Sequence, residues 1–337
     1  MKALFIGGTG VISTAISQKL IAEGHELWLI NRGSHAMDGA RTITADINNE
    51  TYIAEQIANE KFDVVADFIA FRPEQLERDY RLFKGKTRQF IYISSASAYQ
   101  KPLSNYLITE STPLSNPYWE YSRLKIAGEE LLMKYYREEG FPITIVRPSH
   151  TYSERKVPVG FYGKKGSYQV VKRMLEGKPV IIPGDGNSLW TLTNSKDFAK
   201  GFVGLMGNVH AIGEAVQITS DESLTWNQVH QCIADALGVE LKAYHVSTDF
   251  LRACGQYDTD GLVGDKAHTV VFDNTKLKRL VPGFAATIRF DQGIRESVAY
   301  LLAHPELQVE DPDFDAWCDR VIAAQEEAIQ KIKGVQL

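Results

Sequence analysis

Cysteine is scarce in this chain. Cys232, Cys254 and Cys318 are odd in number, far apart and in no metal-ligand spacing. That excludes a disulfide framework and a cysteine-ligated zinc site, and it reads as reduced thiols in a cytoplasmic protein. Positive charge is not in excess either. A formal net charge of −5 argues against a broad nucleic-acid surface, which needs clustered Lys and Arg. No apolar run reaches the length of a membrane span, and "MKALFIGG" enters a strand-like segment at once, so neither a membrane anchor nor a signal peptide is expected. Internal repeats and low-complexity tracts are absent. What remains is an ordinary globular composition, 44% apolar and 23% charged, in 337 residues, enough for two lobes.

The first half alternates β-rich runs with helical patterns. Strands are expected at Ala3–Ile6, Glu26–Ile30, Val64–Phe68, Gln89–Ile93 and Thr144–Arg147, and helices near 12–23, 50–59, 74–84 and 118–138. That alternation implies α/β architecture, a doubly wound parallel sheet with helices on both faces. Past Pro148 the rhythm changes. Residues 153–167 are rich in Gly, Lys and Pro, suggesting a mobile loop over a cleft. Helices and short strands follow, ending in an amphipathic helix over about 313–332. The reading is a nucleotide-binding domain over 1–150, with 187–220 returning to it. A smaller mixed α/β substrate lobe then comprises 151–186 and 221–337.

"FIGGTGVIS" places Gly7, Gly8 and Gly10 between a strand and a helix, the context of a Rossmann-type dinucleotide turn. Glycine lets the backbone approach a pyrophosphate, and the helix N-terminus at Thr9–Ile12, including Val11, supplies N–H groups. Ser13 stands where a third glycine is usual, a small residue that still allows close helix–strand packing. After the second strand comes "NRG". An NAD site usually carries a carboxylate there, whereas this chain has Asn31 and Arg32. Arg32 suits the 2′-phosphate of NADP, or is an exposed turn residue; the reading is NAD or NADP, leaning to NADP. Asp46, followed by Ile47, is an adenine contact or a turn cap.

Tyr-x-x-x-Lys occurs four times: Tyr80/Lys84, Tyr121/Lys125, Tyr152/Lys156 and Tyr168/Lys172. Chance alone supplies about one. Only Tyr121/Lys125 opens a helix after a strand tipped by serines, Ser94 and Ser95, and ligands gather at such carboxyl ends. At i and i+4 the two residues share a helix face. A phenol with a solution pKa near ~10 needs help to exchange protons at neutral pH, and an adjacent ammonium favours the phenolate. Ser95 is placed to hydrogen-bond a substrate oxygen.

"GGTGVIS", "DVVADFIA", "ISSASAY", "YSRLK", "IVRPSHTY" and "PGDGNSLWTLTNSKDFA" together resemble the extended short-chain dehydrogenase/reductases, the NAD(P)-dependent epimerase/dehydratase family, over most of the chain. The resemblance implies catalytic roles for Ser95, Tyr121 and Lys125, with Lys125 also binding the nicotinamide ribose. It further implies cofactor contacts from Gly7, Gly10 and Arg32, from Ile69, Ala70 and Phe71, and from Pro148 and Ser149 after Arg147. A small-molecule substrate, a sugar or sugar derivative, is expected, with no nucleic acid, no membrane and a possible homodimer through helix 118–138.

Departures from the pattern concern the substrate. Trp190 and the Leu262–Val263 pair stand where nucleotide-sugar enzymes of the family carry diphosphate-clamping arginines, which an indole or alkyl group replaces poorly. Lys266 and His268, or Lys164 and Lys165, substitute for them or are solvated loop residues. Ala96 and Ser97 stand where 4,6-dehydratases carry Asp-Glu, which argues against dehydration and leaves Ser97 as a substrate contact. His150 replaces a common Asn, as a substrate contact or a buried histidine. The expectation is therefore an epimerase or dehydrogenase. Two alternatives stay open: a carbonyl reductase or alcohol dehydrogenase on a non-nucleotide substrate, and a non-catalytic NAD(P)-sensing or RNA-associated protein.

Overall fold

A computed structural model describes residues 1–33, 36–257 and 259–334. The chain divides into two compact units, neither of them one continuous segment.

The first unit comprises Met1–Ser153, Thr191–Glu222 and Val270–Ile288. Its centre is a seven-stranded sheet: β1 Lys2–Ile6, β2 Glu26–Asn31, β3 Arg41–Thr44, β4 Val64–Asp67, β5 Phe90–Ile93, β6 Ile143–Pro148 and β7 Ala215–Ile218. The spatial order is β3-β2-β1-β4-β5-β6-β7, every pair parallel. This is the doubly wound order of a dinucleotide-binding sheet. Alternation along each strand sends Ala3 and Phe5 to one face and Leu4 and Ile6 to the other. The first face is covered by α1 (Ser13–Ala22) and, returning from later in the chain, by α6 (Ser195–Leu205). The opposite face is covered by α2 (Glu50–Gln56), α3 (Pro73–Phe83) and α4 (Glu120–Glu139), through Ile53, Leu76, Phe83 and Leu132.

Two strands of this sheet were not expected from the sequence. In "RTIT" of β3 only Ile43 is buried, so an edge strand shows too little apolar signal. β7 pairs only with β6, from more than sixty residues away. The segment 270–288, read as part of the substrate lobe, belongs to the first unit. Leu277 of α9 (Thr275–Leu280) and Phe284 enter the core beside α6. Glycine permits that contact: a Cβ at Gly204 would lie 2.3 Å from Val281 Cγ1.

The second unit comprises Glu154–Trp190, Ser223–Thr269 and Arg289–Leu337. It holds α5 (Tyr168–Leu175), α7 (Trp226–Leu237), α8 (Thr248–Cys254), α10 (Phe290–Ala303), α11 (Pro312–Lys333) and a parallel strand pair, Val180–Pro183 with Ala243–Val246. Buried Arg173 of α5 binds Asp315 and Asp319 of α11, each at 2.7 Å. The stretch read as a mobile loop is packed. Val157, Val159 and Phe161 are buried, and Phe161 lies against Phe314 and Trp317. Its Gly/Pro richness marks irregular backbone rather than missing contacts.

Candidate active site

The glycine turn follows β1 directly. Gly7 and Gly8 have φ of +98° and +102°, the left-handed side that glycine tolerates best. A Cβ at Gly8 would also lie 2.5 Å from Leu29 Cδ2. Ser17 Oγ donates to Gly8 O, and Ser13 Oγ accepts from Gly10 N, both at 2.9 Å. The Ser13 hydroxyl is therefore used within the turn. No side chain caps α1 and its first turn holds no acidic residue, so nothing there repels an anion, although Thr14 N already donates to Gly10 O at 3.0 Å.

At the end of β2, Asn31 Oδ1 accepts from Gly33 N at 2.9 Å. Asn31 Nδ2 is buried and has no partner among the described residues, and the same holds for Thr14 Oγ1 in α1. Arg32 is exposed. These orphaned donors around a turn with no room for a Cβ fit a bound dinucleotide. Asp46 is exposed and its carboxylate accepts from Asn48 N at 2.9 Å, the turn cap foreseen as its alternative. Ile47, read as a cofactor contact, is 5% exposed and its side chain belongs to the core, a burial that periodicity around "ADI" does not reveal.

The segment after β4 is fixed from beneath. Asp67, fully buried, accepts from Ile69 N at 2.5 Å and Ala70 N at 2.8 Å. Arg78 links Asp67, Asp79 and Asn48. Burial and the neighbouring Asp67 charge push the Asp79 carboxyl well above the usual range. Held this way, Ile69 and Phe71 stay exposed while Ala70 is buried.

Lys125, on α4, is 2% exposed. Its Nζ donates to Ala70 O at 2.7 Å and Ile93 O at 2.8 Å. It sits 4.8 Å from the ring centroids of Phe71 and Tyr92 and 5.7 Å from that of Tyr121. Burial lowers its pKa to about 8, against the pull of Asp67 and Glu129. Tyr121 is half-buried beside Phe71 and Trp119. Ser95, past β5, caps the short turn Ala96–Ala98. Lys125 and Tyr121 therefore lie beside the segments that follow β4 and β5, and Ser95 follows β5 directly.

The other Tyr-x-x-x-Lys pairs have other duties. Tyr80 and Lys84 both bind Glu139 on the surface. Tyr152 is fully buried in a short strand, and Lys172 pairs with Glu310 at 2.6 Å.

Besides Asp67, two residues escaped the sequence reading. Glu129 binds Arg147 through two bonds and accepts from Ser94 Oγ at 2.5 Å, all buried. Its position four residues after Lys125, on the same helix face, was the available signal. Ser122 donates to Ser97 Oγ at 2.8 Å, a contact no spacing rule announces.

The expected substrate residues separate. Ser97, 3% exposed, has its hydroxyl engaged by Ser95 and Ser122, which corrects its reading as a substrate contact. Ser149 Oγ donates to Thr191 O, and buried Pro148 ends β6. His150 is half-buried in a short strand that pairs with Leu192–Asn194. In the second unit, Trp190 is 2% exposed and stacked on Trp226, a core position rather than a substrate surface. His268 Nε2 lies 2.9 Å from Val263 O, and Lys266 Nζ sits 4.8 Å from the Tyr162 ring centroid. Among the described residues no helix is long and apolar enough to cross a membrane, and no group of three or more His, Cys, Asp or Glu is arranged to hold a metal.

Comparison with known proteins gives a concordant result. The model of the NAD dependent epimerase/dehydratase family matches residues 3–219. A protein of Bacillus subtilis described as an uncharacterized UDP-glucose epimerase, YtcB, is 29% identical over 212 residues, 63% of this chain and 60% of that one. The 2′-dehydrokanamycin reductase of Streptomyces kanamyceticus is 25% identical over 287 residues, 84% of this chain and 80% of its own. The structure of UDP-glucuronic acid 4-epimerase from Bacillus cereus in complex with NAD superposes with a TM-score of 0.71 at 20% identity, covering 92% of this chain and 100% of that one.

Proposed function

The chain belongs to the NAD-dependent epimerase/dehydratase family, and from that premise we propose an enzyme that moves hydride at a hydroxyl-bearing carbon of a sugar or sugar derivative, with NADP preferred to NAD. The observation that carries this reading is the buried ammonium of Lys125, anchored on Ala70 O and Ile93 O beside Tyr121. A buried charge is costly, and one held by two carbonyls next to a half-exposed phenol is suited to chemistry. When bound, the nicotinamide ring accepts or returns the hydride. Tyr121 takes the proton from the substrate hydroxyl, or gives it back to the carbonyl oxygen, and the Lys125 charge favours its phenolate. Ser95 hydrogen-bonds the same oxygen. The preference for NADP rests on exposed Arg32 and on the free amide donor of Asn31, where an NAD site would carry a carboxylate.

Net reduction or oxidation of a substrate without a nucleotide is a second reading, favoured by a specific observation. Trp190 is 2% and Leu262 3% exposed, so neither position offers a diphosphate the guanidinium the family uses. The match to a protein named 2′-dehydrokanamycin reductase supports it. NADPH absorbance with a panel of UDP-sugars, free ketosugars and small ketones separates the two, because only the net reductase consumes NADPH. Tyr121→Phe is expected to lower turnover by ~100-fold or more; turnover equal to wild type would remove Tyr121 from the chemistry. A larger thermal shift with NAD than with NADP would overturn the cofactor preference.

A further inference from the structure

Behind Ser95 lies a line of hydroxyls that reaches α4. Ser122 Oγ donates to Ser97 Oγ at 2.8 Å, and Ser97 Oγ lies 2.9 Å from Ser95 Oγ. Ser97 N also donates to Ser95 Oγ, at 3.2 Å. Ser122 is fully buried and Ser97 is 3% exposed, so water does not compete for these bonds. The backbone under the line is fixed as well: Asn116 Nδ2 donates to Ser97 O at 2.9 Å, and Ser115 N to Ala98 O at 3.1 Å.

A hydroxyl has one proton and two lone pairs. Ser122 spends its proton on Ser97. Either hydroxyl could donate between Ser97 and Ser95, but buried Ser97 has no other acceptor for its proton among the described residues, so it donates to Ser95. Both lone pairs of Ser95 are then filled, by the O–H and the N–H of Ser97. Only the Ser95 proton remains, on the half-exposed side of the residue, with no acceptor among the described residues.

From this directionality we infer that Ser97 and Ser122 are positioning residues that lock Ser95 as a hydrogen-bond donor to the reacting oxygen. The inference rests on the reaction proposed above and specifies the division of labour within it. Ser95 stabilises negative charge developing on the substrate oxygen as hydride arrives or departs, and it cannot serve as base. Proton exchange is left to Tyr121 alone. Because Ser122 adjoins Tyr121, the same bond also sets the phenol-bearing end of α4 against the serine turn.

The test is a cycle of Ser95→Ala, Ser122→Ala and the double variant, assayed by NADPH absorbance on whichever sugar or ketone of the panel wild type turns over fastest. Without Ser122 no donor fixes the Ser97 hydroxyl, and the Ser95 proton can turn back towards it. Ser122→Ala is expected to lower kcat by ~10-fold, less than outright loss of an oxyanion donor. KM, NADPH affinity by fluorescence and melting temperature should stay near wild type. Ser122→Ala should cost nothing further in the Ser95→Ala background, and Ser122→Thr, which keeps the hydroxyl, should recover activity. If Ser95→Ala is impaired while Ser122→Ala turns over like wild type, the positioning role alone is wrong. An equal loss from Ser122→Ala in both backgrounds would make Ser122 merely structural. Should Ser95→Ala itself match wild type, the reaction assigned to this site falls and the inference with it.

Discussion

At the scale of single residues, Lys125 shows how function opposes stability. Burial lowers its pKa from 10.5 to about 8. Between those values the unfolded chain binds more protons than the folded one, so stability rises with pH across that window. Below pH ~8 both states carry the charge and the folded state bears the full desolvation cost, about 3 kcal/mol. Urea unfolding of the cofactor-free protein at pH 7, 8, 9 and 10 should therefore show wild type gaining stability relative to Lys125→Met by about that amount. Parallel profiles for the two proteins would mean that the lysine is not desolvated. Lys125, Tyr121 and Ser95 were legible in the sequence because a helix repeat and a strand end constrain them. The residues that hold them, Ser122, Glu129 and Asp67, were not, because their partners are brought together by folding and not by spacing.

At the scale of elements, the sequence reading recovered the strands whose faces are both buried and missed those at the edges of the sheet. The two edge strands differ in kind. β3 is polar and shows one buried residue, whereas β7 is apolar but stands far from its partner in sequence, where local pattern has nothing to say about pairing. The same blindness affected α9, a short helix whose place is set by one close contact. Gly204 lies on α6, where alanine would ordinarily improve a helix by up to ~1 kcal/mol. Here the new Cβ would lie 2.3 Å from Val281 Cγ1 and 2.9 Å from Val281 Cγ2, and valine has no flexible end to move aside. Overpacking of this sort costs about 1–3 kcal/mol, so Gly204→Ala should destabilise despite its better propensity. Adding Val281→Ala should restore most of the loss in the double variant. A stabilised Gly204→Ala, measured by chemical denaturation, would mean that the segment 270–288 does not pack on α6.

At the scale of the whole molecule, the chain passes between its two units several times, and this decides what can fold alone. The sequence suggested a nucleotide-binding domain of residues 1–150 with 187–220 returning to it. All the glycine-turn and catalytic residues do lie within 1–150, but the sheet that carries them is not complete within that stretch. Residues 191–222 and 270–288 supply Phe198, Phe202, Leu205, Val216, Ile218, Leu277 and Phe284 to the core that buries Phe5, Ile16 and Leu20. At about 2 kcal/mol for each buried side chain, their loss rivals the 5–15 kcal/mol by which a whole domain is stable. It would also bare one edge of β6 and one face of α1. A fragment of residues 1–153 should therefore remain expanded or aggregate, with weak near-UV circular dichroism and no NADP-dependent thermal shift, although it contains every residue assigned to cofactor and catalysis in the first unit. A cooperative transition that NADP raises in that fragment would show that the returning segments are dispensable. The expected failure would instead locate the stability of the active site in parts of the chain that carry none of its chemistry.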